Sequence, residues 1–298
     1  NGLNELMVWP HDPTSPSTAN AAKTLVSVTG YAGGGITSLI SRYLCAFAGR
    51  LIMGYTTEAG AVKAQRLRWC CDGRYNNWDT SASLGAGAVD LADTPGRITG
   101  LIASYDQLTI FKEDAIILGR ESGDPSAPIV FPNWLKIGCA SGSSAQPIDP
   151  QSIIFLGTDS NVYILRGGSA TPIGNKVRQA ISTLLETTRT RQIISWTRPD
   201  LSLYFLSFPR VGETFPRYTL VYNWAEDLWF SDIYGTDLHS VCLADAGSTT
   251  TWDSATGTWD GAGTGTSTWD SLTPIATKPI PVLGVQYGST TWRVPKIQ

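Results

Sequence analysis

The sequence predicts an all-β chain, β-propeller-like, built of short antiparallel hairpin blades with one surface helix at about 174–188. Three observations carry the prediction. Charged residues are only 16% of the 298, while glycine (30) and tryptophan (11) are abundant, which supplies strand residues and turn residues rather than a solvated helical surface. Short apolar runs recur, each followed by a tight polar turn and a second apolar run. One stretch alone carries the 3.6-residue apolar period of a helix.

Residues 1–40 are poor in regular signal. Glu5–Trp9 reads as a short strand stopped by Pro10, and the Pro-rich run to Asn20 reads as loop. The hairpins begin at Tyr43–Phe47, which turns at Ala48-Gly49-Arg50 into Leu51–Tyr55. Ile98–Ser104 turns at Tyr105-Asp106-Gln107 into Leu108–Phe111, and Glu113-Asp114 turns that strand into Ala115–Leu118. Ile153–Leu156 turns at Thr158–Asn161 into Val162–Leu165. Val177, Ile181, Leu184 and Leu185 then form one apolar face over Arg178–Thr188, with Asn175 expected as the N-cap. Ile193–Thr197 turns at Pro199-Asp200 into Leu201–Phe208, and Tyr218–Tyr222 turns at Asn223–Asp227 into Leu228–Phe230. Val282–Tyr287 and Thr290–Val294 make a last hairpin about Gly288-Ser289.

The turns at Asp106, Asp159 and Asp200 are 53 and 41 residues apart, a spacing that suits one four-stranded blade per unit. A β-sandwich also has short strands and frequent turns. The propeller is preferred because the units look alike and lack long Greek-key crossings. The organisation expected is an irregular segment at 1–40 or an incomplete first blade, propeller blades at 41–245, a Trp-Asp repeat insert at 246–273 and a final hairpin at 274–298.

Composition also excludes function classes. Net charge is −3 and no run of four Lys/Arg occurs, so a basic nucleic-acid footprint has no support. No apolar run reaches the ~20 residues of a membrane span. The five cysteines (Cys45, Cys70, Cys71, Cys139, Cys242) are odd in number and lack a C-x-x-C, which favours reduced, packing thiols and a reducing compartment. Adjacent Cys70 and Cys71 are expected on opposite faces of a strand. His11 and His239 are the only histidines, and no Gly-x-Ser-x-Gly accompanies them, so no catalytic triad is expected. The carboxylate pairs Glu113-Asp114, Glu226-Asp227 and Asp90/Asp93 fall at predicted turns, where acids cap backbone or meet solvent. No metal, cofactor or phosphate-loop pattern is present in the sequence.

One stretch remains. Thr-Trp-Asp occurs three times, with Trp252, Trp259 and Trp269 spaced 7 and 10 residues apart. Propeller repeats recur at about forty residues, so this is not that signature. The glycines are also out of register for an Asp-box. Each unit joins a β-former and a large ring to an Asp that can close a turn. Trp252, Trp259 and Trp269 are therefore expected to be packing residues, within the subunit or at a subunit contact.

An ordered series of motifs adds a resemblance. Arg50-Leu51-Ile52 is followed by Arg66-Leu67-Arg68-Trp69, Asn77-Trp78-Asp79 and Val89-Asp90-Leu91. Asp93–Leu101, Leu108–Ile116, Ile137-Gly138-Cys139, Phe155–Val162-Tyr163 and Pro172–Val177 come next. In this order the chain resembles the tail hub or nozzle proteins of short-tailed bacteriophages, the packaged-DNA stabilisation group, best over residues 43–185. The resemblance implies a propeller subunit of a homo-oligomeric ring, commonly a hexamer, in the virion tail, assembled in the host cytoplasm. Such a ring lies below the portal, contacts portal or adaptor and tail fibre or needle proteins, and continues the DNA channel without binding DNA specifically. No catalytic residue, cofactor or metal is implied. Two alternatives stand beside it: a propeller that binds or cleaves glycans at the host surface, and the scaffold of a non-viral propeller.

Overall fold

The computed structural model describes residues 7–8, 26–27, 38–75, 77–80, 85–104, 106–124, 127–233, 237–244, 280–287 and 291–293. The strands assemble as meanders, each sheet laid down in chain order. Sheet I holds β3 (Leu39–Phe47), β4 (Arg50–Glu58), β5 (Ala61–Trp69) and β6 (Gly87–Asp90), after a two-stranded pair of β1 (Met7–Val8) and β2 (Val26–Ser27). Sheet II holds β7 (Ile98–Ser104), β8 (Gln107–Lys112), β9 (Ile116–Glu121) and β10 (Ile129–Leu135). Sheet III holds β11 (Gln146–Asp149), β12 (Ser152–Leu156), β13 (Val162–Arg166) and β14 (Ser169–Pro172). Sheet IV holds β15 (Ile194–Arg198), β16 (Leu203–Phe208), β17 (Tyr218–Asn223) and β18 (Leu228–Ile233). Sheet V holds β19 (Leu238–Ala244), β20 (Ile280–Tyr287) and β21 (Thr291–Arg293). Repeated four-stranded antiparallel meanders are the blades of a β-propeller.

Three of the hairpins turn on two residues with positive φ: Ala48-Gly49 (49° and 70°), Ala59-Gly60 (46° and 82°) and Gly167-Gly168 (56° and 85°). Two consecutive left-handed residues match the right-handed twist of the flanking strands, which is why these short loops hold register.

Strand alternation stacks the sheets. Successive side chains point to opposite faces, so each sheet offers two apolar faces. In sheet II, Leu108, Ile110 and Ile117 pack with Ile52, Leu67 and Trp69 of sheet I. Their strand neighbours Phe111, Ile116 and Leu118 face the other way, onto Ile153, Phe155 and Leu165 of sheet III. Sheet III repeats the device: Ile154, Leu156 and Val162 meet Tyr204, Leu206 and Phe208 of sheet IV. Trp196 of sheet IV then packs with Leu238 of sheet V and stacks on Phe205, ring centroids 4.8 Å apart.

Several expectations need correction. The Asp159 turn joins the second and third strands of its sheet, whereas the turns at Asp106 and Asp200 join first to second. The spacing of 53 and 41 thus compared non-equivalent positions. Leu201 belongs to a 3₁₀ turn (Pro199–Leu201) that ends at left-handed Ser202, so the strand after it starts at Leu203. The helix α1 is Arg178–Leu184, with Val177 as the N-cap residue and no side-chain cap. Asn175 is engaged elsewhere: its Oδ1 accepts from Asn161 Nδ2 at 2.9 Å. A 3₁₀ segment, Thr187–Gln192, replaces the last predicted turn. The apolar face stands, with Ile181 and Leu185 buried and Val177 and Leu184 packed around them. Cys70 and Cys71 are both buried, because the chain leaves β5 at Trp69 and turns back into a bridge between Cys71 and Arg74. Cys45, Cys70, Cys71 and Cys139 are free thiols.

The connection from sheet V's first strand to its second runs from Ala244 to Ile280 and contains the three Thr-Trp-Asp units. Trp252, Trp259 and Trp269 lie outside the described residues, as does His11.

Candidate functional site

In an antiparallel meander the turn between the second and third strands lies at the end where the first strand starts. The register shows this in sheet II, where Ile98 opposes Lys112. Segments entering first strands and second-to-third turns therefore share one face of the stack. A cavity of about 230 Å³ opens there. Arg42 and Tyr43 reach it from β3, Arg97 and Thr99 from the start of β7, and Glu113 from the turn after β8. Ser141 precedes β11, Thr158 and Ser160 lie in the β12–β13 turn, and Thr190 and Arg191 lead into β15.

Backbone features set up this arrangement. β4 carries a bulge between Gly54 and Thr56, with Tyr55 at φ 55°. A left-handed conformation is costly for a bulky residue, and bulges re-aim side chains. Here Tyr55 is 8% exposed and Arg42 stacks on its ring, the guanidinium carbon 3.7 Å from the centroid. On the far wall, Gly142 lies so near Gly100 that a Cβ on either would sit 2.5 Å from the other's Cα. Only glycine permits two backbones to approach so closely. That approach brings Ser141 alongside Thr99.

The charges are unequal. Glu113 holds Arg97, with Arg97 Nε donating to Oε1 at 2.7 Å and the Arg97 amide to Oε2 at 3.2 Å. Among the described residues, neither Arg42 nor Arg191 pairs with a carboxylate. Burial lowers the Arg42 pKa below its ordinary value, and the neighbouring Arg191 charge lowers it further. Burial raises the Tyr43 hydroxyl, against the pull of Arg191, Arg42 and Arg97. Thr99 is 7% exposed; its hydroxyl meets no nitrogen or oxygen partner and lies beside the Cys139 thiol. That thiol is pushed up to about 12 by burial, which keeps it a packing group and not a nucleophile.

The residues weighed as acids and bases lie elsewhere or are committed. Asp227 accepts from Lys176 Nζ at 3.1 Å and from the Tyr222 hydroxyl at 3.1 Å. Asp90 is bound by both Arg66 Nε (2.7 Å) and Nη2 (2.6 Å). His239 sits in β19 with its ring 4.1 Å from that of Phe215. Among the described residues no cluster of His, Cys, Asp and Glu could hold a metal ion. Among the described residues, too, no helix is long and apolar enough to cross a membrane. Sequence reasoning named Arg97, Thr99, Glu113 and Thr158 without giving them a common site, and it missed Arg42 and Arg191. The available signal was an arginine shortly before two first strands, Arg97-Ile98 and Arg191 ahead of Ile193.

No protein-family model matches the chain, and no curated protein matches it. Among solved structures it is similar to BamB from Moraxella catarrhalis, with 11% identity and a TM-score of 0.42 over 68% of this chain and 52% of that one. The β-propeller domain of Myceliophteria thermophila Cps50 (Swd1) shows 12% identity and a TM-score of 0.36 over 57% of this chain and 50% of that one. KlHsv2 with loop 6CD replaced by a Gly-Ser linker shows 10% identity and a TM-score of 0.34 over 64% and 56%. The chain spans about half the length of each of these structures.

Proposed function

We propose that the chain is a virion structural protein, a subunit of a nozzle or hub ring in the tail of a short-tailed bacteriophage. The ring continues the DNA channel below the portal and helps to retain and deliver the genome. The ordered motif series over residues 43–185 motivates this reading. The observation that carries the assembly part is strand β18. It is the outer edge of sheet IV, and it leaves Leu228 53%, Phe230 49% and Ile233 59% exposed. Leu228 and Phe230 share one face of the strand. An edge that no described strand pairs, with apolar side chains, is a hazard for a free monomer and a ready contact in an assembly. The occupant we assign is a second copy of this chain, repeated around a sixfold ring. Portal or adaptor subunits lie on one side of the ring and fibre or needle proteins on the other.

A conduit calls for no catalytic group and for weak contact with DNA, since Lys/Arg contacts to phosphate dominate nucleic-acid affinity. A net charge of −3 suits that task. Negative-stain images of the native assembly are expected to show a closed ring of identical subunits. Monomers throughout, with glycan binding or sugar release by the purified chain, would replace this reading with the host-surface one.

A further inference from the structure

We propose that the cavity between Arg42, Arg97 and Arg191 is a binding site for a phosphate dianion, either free or as the terminal group of a small ester. Three observations converge on it. Among the described residues, three guanidinium groups face a single carboxylate, Glu113, which leaves two positive charges unbalanced there in a chain whose net charge is −3. Phosphate carries ~1.5–2 negative charges at neutral pH, so it matches that excess. The donor set is also suitable. Guanidinium forks pair with tetrahedral oxyanions in bidentate fashion. Hydroxyls of Tyr43, Ser141 and Thr190 line the same space and supply neutral donors.

The second observation is preorganisation. Arg42 is held on the Tyr55 ring, and Tyr55 is held by a bulge in the left-handed region. Strain of this kind persists where the surroundings over-determine it, and it gathers at ligand clamps. The third is size. About 230 Å³ accommodates an oxyanion with residual water, at ~30 Å³ per water, and falls below the ~300 Å³ at which drug-sized pockets begin. Like charges brought together with no anion repel one another. Burial and, after it, the Arg191 charge lower the Arg42 pKa, and a bound dianion offsets the Arg191 repulsion.

The test measures binding of inorganic phosphate to the purified chain by calorimetry at pH 7.5, with sodium chloride at matched ionic strength as the reference. A nucleoside 5′-monophosphate forms a parallel arm. Arg191 is exposed and has no ion pair among the described residues, so Arg191→Gln should fold normally, as an unchanged melting curve without phosphate would show. Phosphate is expected to bind the wild type above the chloride reference. Arg191→Gln should weaken it by about tenfold or more, in line with loss of a charge-assisted contact. Arg217→Gln, which breaks a remote pair with Asp237, should leave binding unchanged. Tighter binding of the nucleotide would assign the ester, and equal or weaker binding would assign free phosphate. No response beyond chloride, or equal binding by wild type and Arg191→Gln, would overturn the site. Because every residue of the cavity comes from one subunit, failure of the assay leaves the ring untouched, and the absence of a ring leaves the site untouched.

Discussion

Two seams in this molecule solve the same problem by different chemistry. Between sheets I and II the connecting segment turns backbone carbonyls inward, and the fully buried Lys112 meets them: Nζ donates to Leu91 O at 2.7 Å, to Thr94 Oγ1 at 2.9 Å and also to Thr94 O. Between sheets II, III and IV the inward groups meet neutral hydroxyls. Tyr204 donates to Ser144 O at 2.6 Å, Ser143 to Ile193 O at 2.7 Å, Ser195 to Ser143 O at 2.7 Å, and Ser144 Oγ accepts from the Leu156 amide at 3.1 Å. A single ammonium satisfies several acceptors at once but carries a desolvation cost. Burial lowers its pKa, opposed by Asp114 and Asp93. Hydroxyls avoid that cost by sharing the task among many residues. The first seam should therefore be brittle and pH-sensitive, the second more tolerant and insensitive to pH.

The largest effect expected from breaking this contrast comes from Lys112→Ala. It leaves the buried carbonyls of Leu91 and Thr94 without their donor and opens a cavity, a loss of about 3–5 kcal/mol by denaturant unfolding. Lys112→Met, one atom shorter, removes the ammonium and its hydrogen bonds while leaving a smaller cavity than alanine. In the folded state the ammonium is disfavoured, so between its lowered pKa and 10.5 the unfolded chain binds more protons. Stability contributed by this group therefore rises with pH through that window. The wild type should gain on Lys112→Met as pH climbs from neutral toward 10.5, read as a growing difference in unfolding midpoint.

Gly142→Ala attacks the second seam through the backbone. Its Cβ would sit 2.4 Å from Thr99 O and 2.5 Å from the Gly100 Cα, so a strand must shift, at about 1–3 kcal/mol in thermal unfolding. Tyr204→Phe removes one hydroxyl and leaves Ser144 O unpaired, at about 1–2 kcal/mol, with no pH dependence below the tyrosine range. The smallest effect belongs to the surface. Arg66 holds Asp90 below the usual carboxylate range, yet the Asp90 side chain is half exposed, so solvent screens the pair. Asp90→Asn, which leaves Arg66 its second carboxylate Glu58, should cost less than about 1 kcal/mol at neutral pH. The wild type's advantage should vanish as pH falls through the lowered Asp90 pKa, because the depressed carboxylate contributes only while ionised.

The strands that sequence displayed most plainly include those buried on both faces. Ile153–Leu156 is a continuous apolar run and Leu108–Phe111 is apolar but for Thr109; both are closed by turn residues, and their hairpins could be read directly. Most of the strands it hid lie at sheet edges. Gly87–Asp90, Gln146–Asp149 and Ser169–Pro172 are short, polar or proline-bearing, because one side meets solvent and Pro is tolerated at an edge. Lys112 looked like any lysine near a turn, since nothing local announces that its carbonyl partners lie 18 and 21 residues away. The phosphate cavity was invisible for the same reason. Arg42, Arg97 and Arg191 converge only once sheets I to IV have stacked.

The proposed ring would use β18 as the contact between copies, and the mass of the assembled chain tests that most directly. Light scattering on the wild type beside the double variant Leu228→Glu, Phe230→Glu separates the outcomes. The wild type should form a single closed oligomer of hexamer mass, and the variant, folded by circular dichroism, should run as a monomer. A wild type that is monomeric at every concentration and in the native particle, or a variant that assembles as the wild type does, would contradict it.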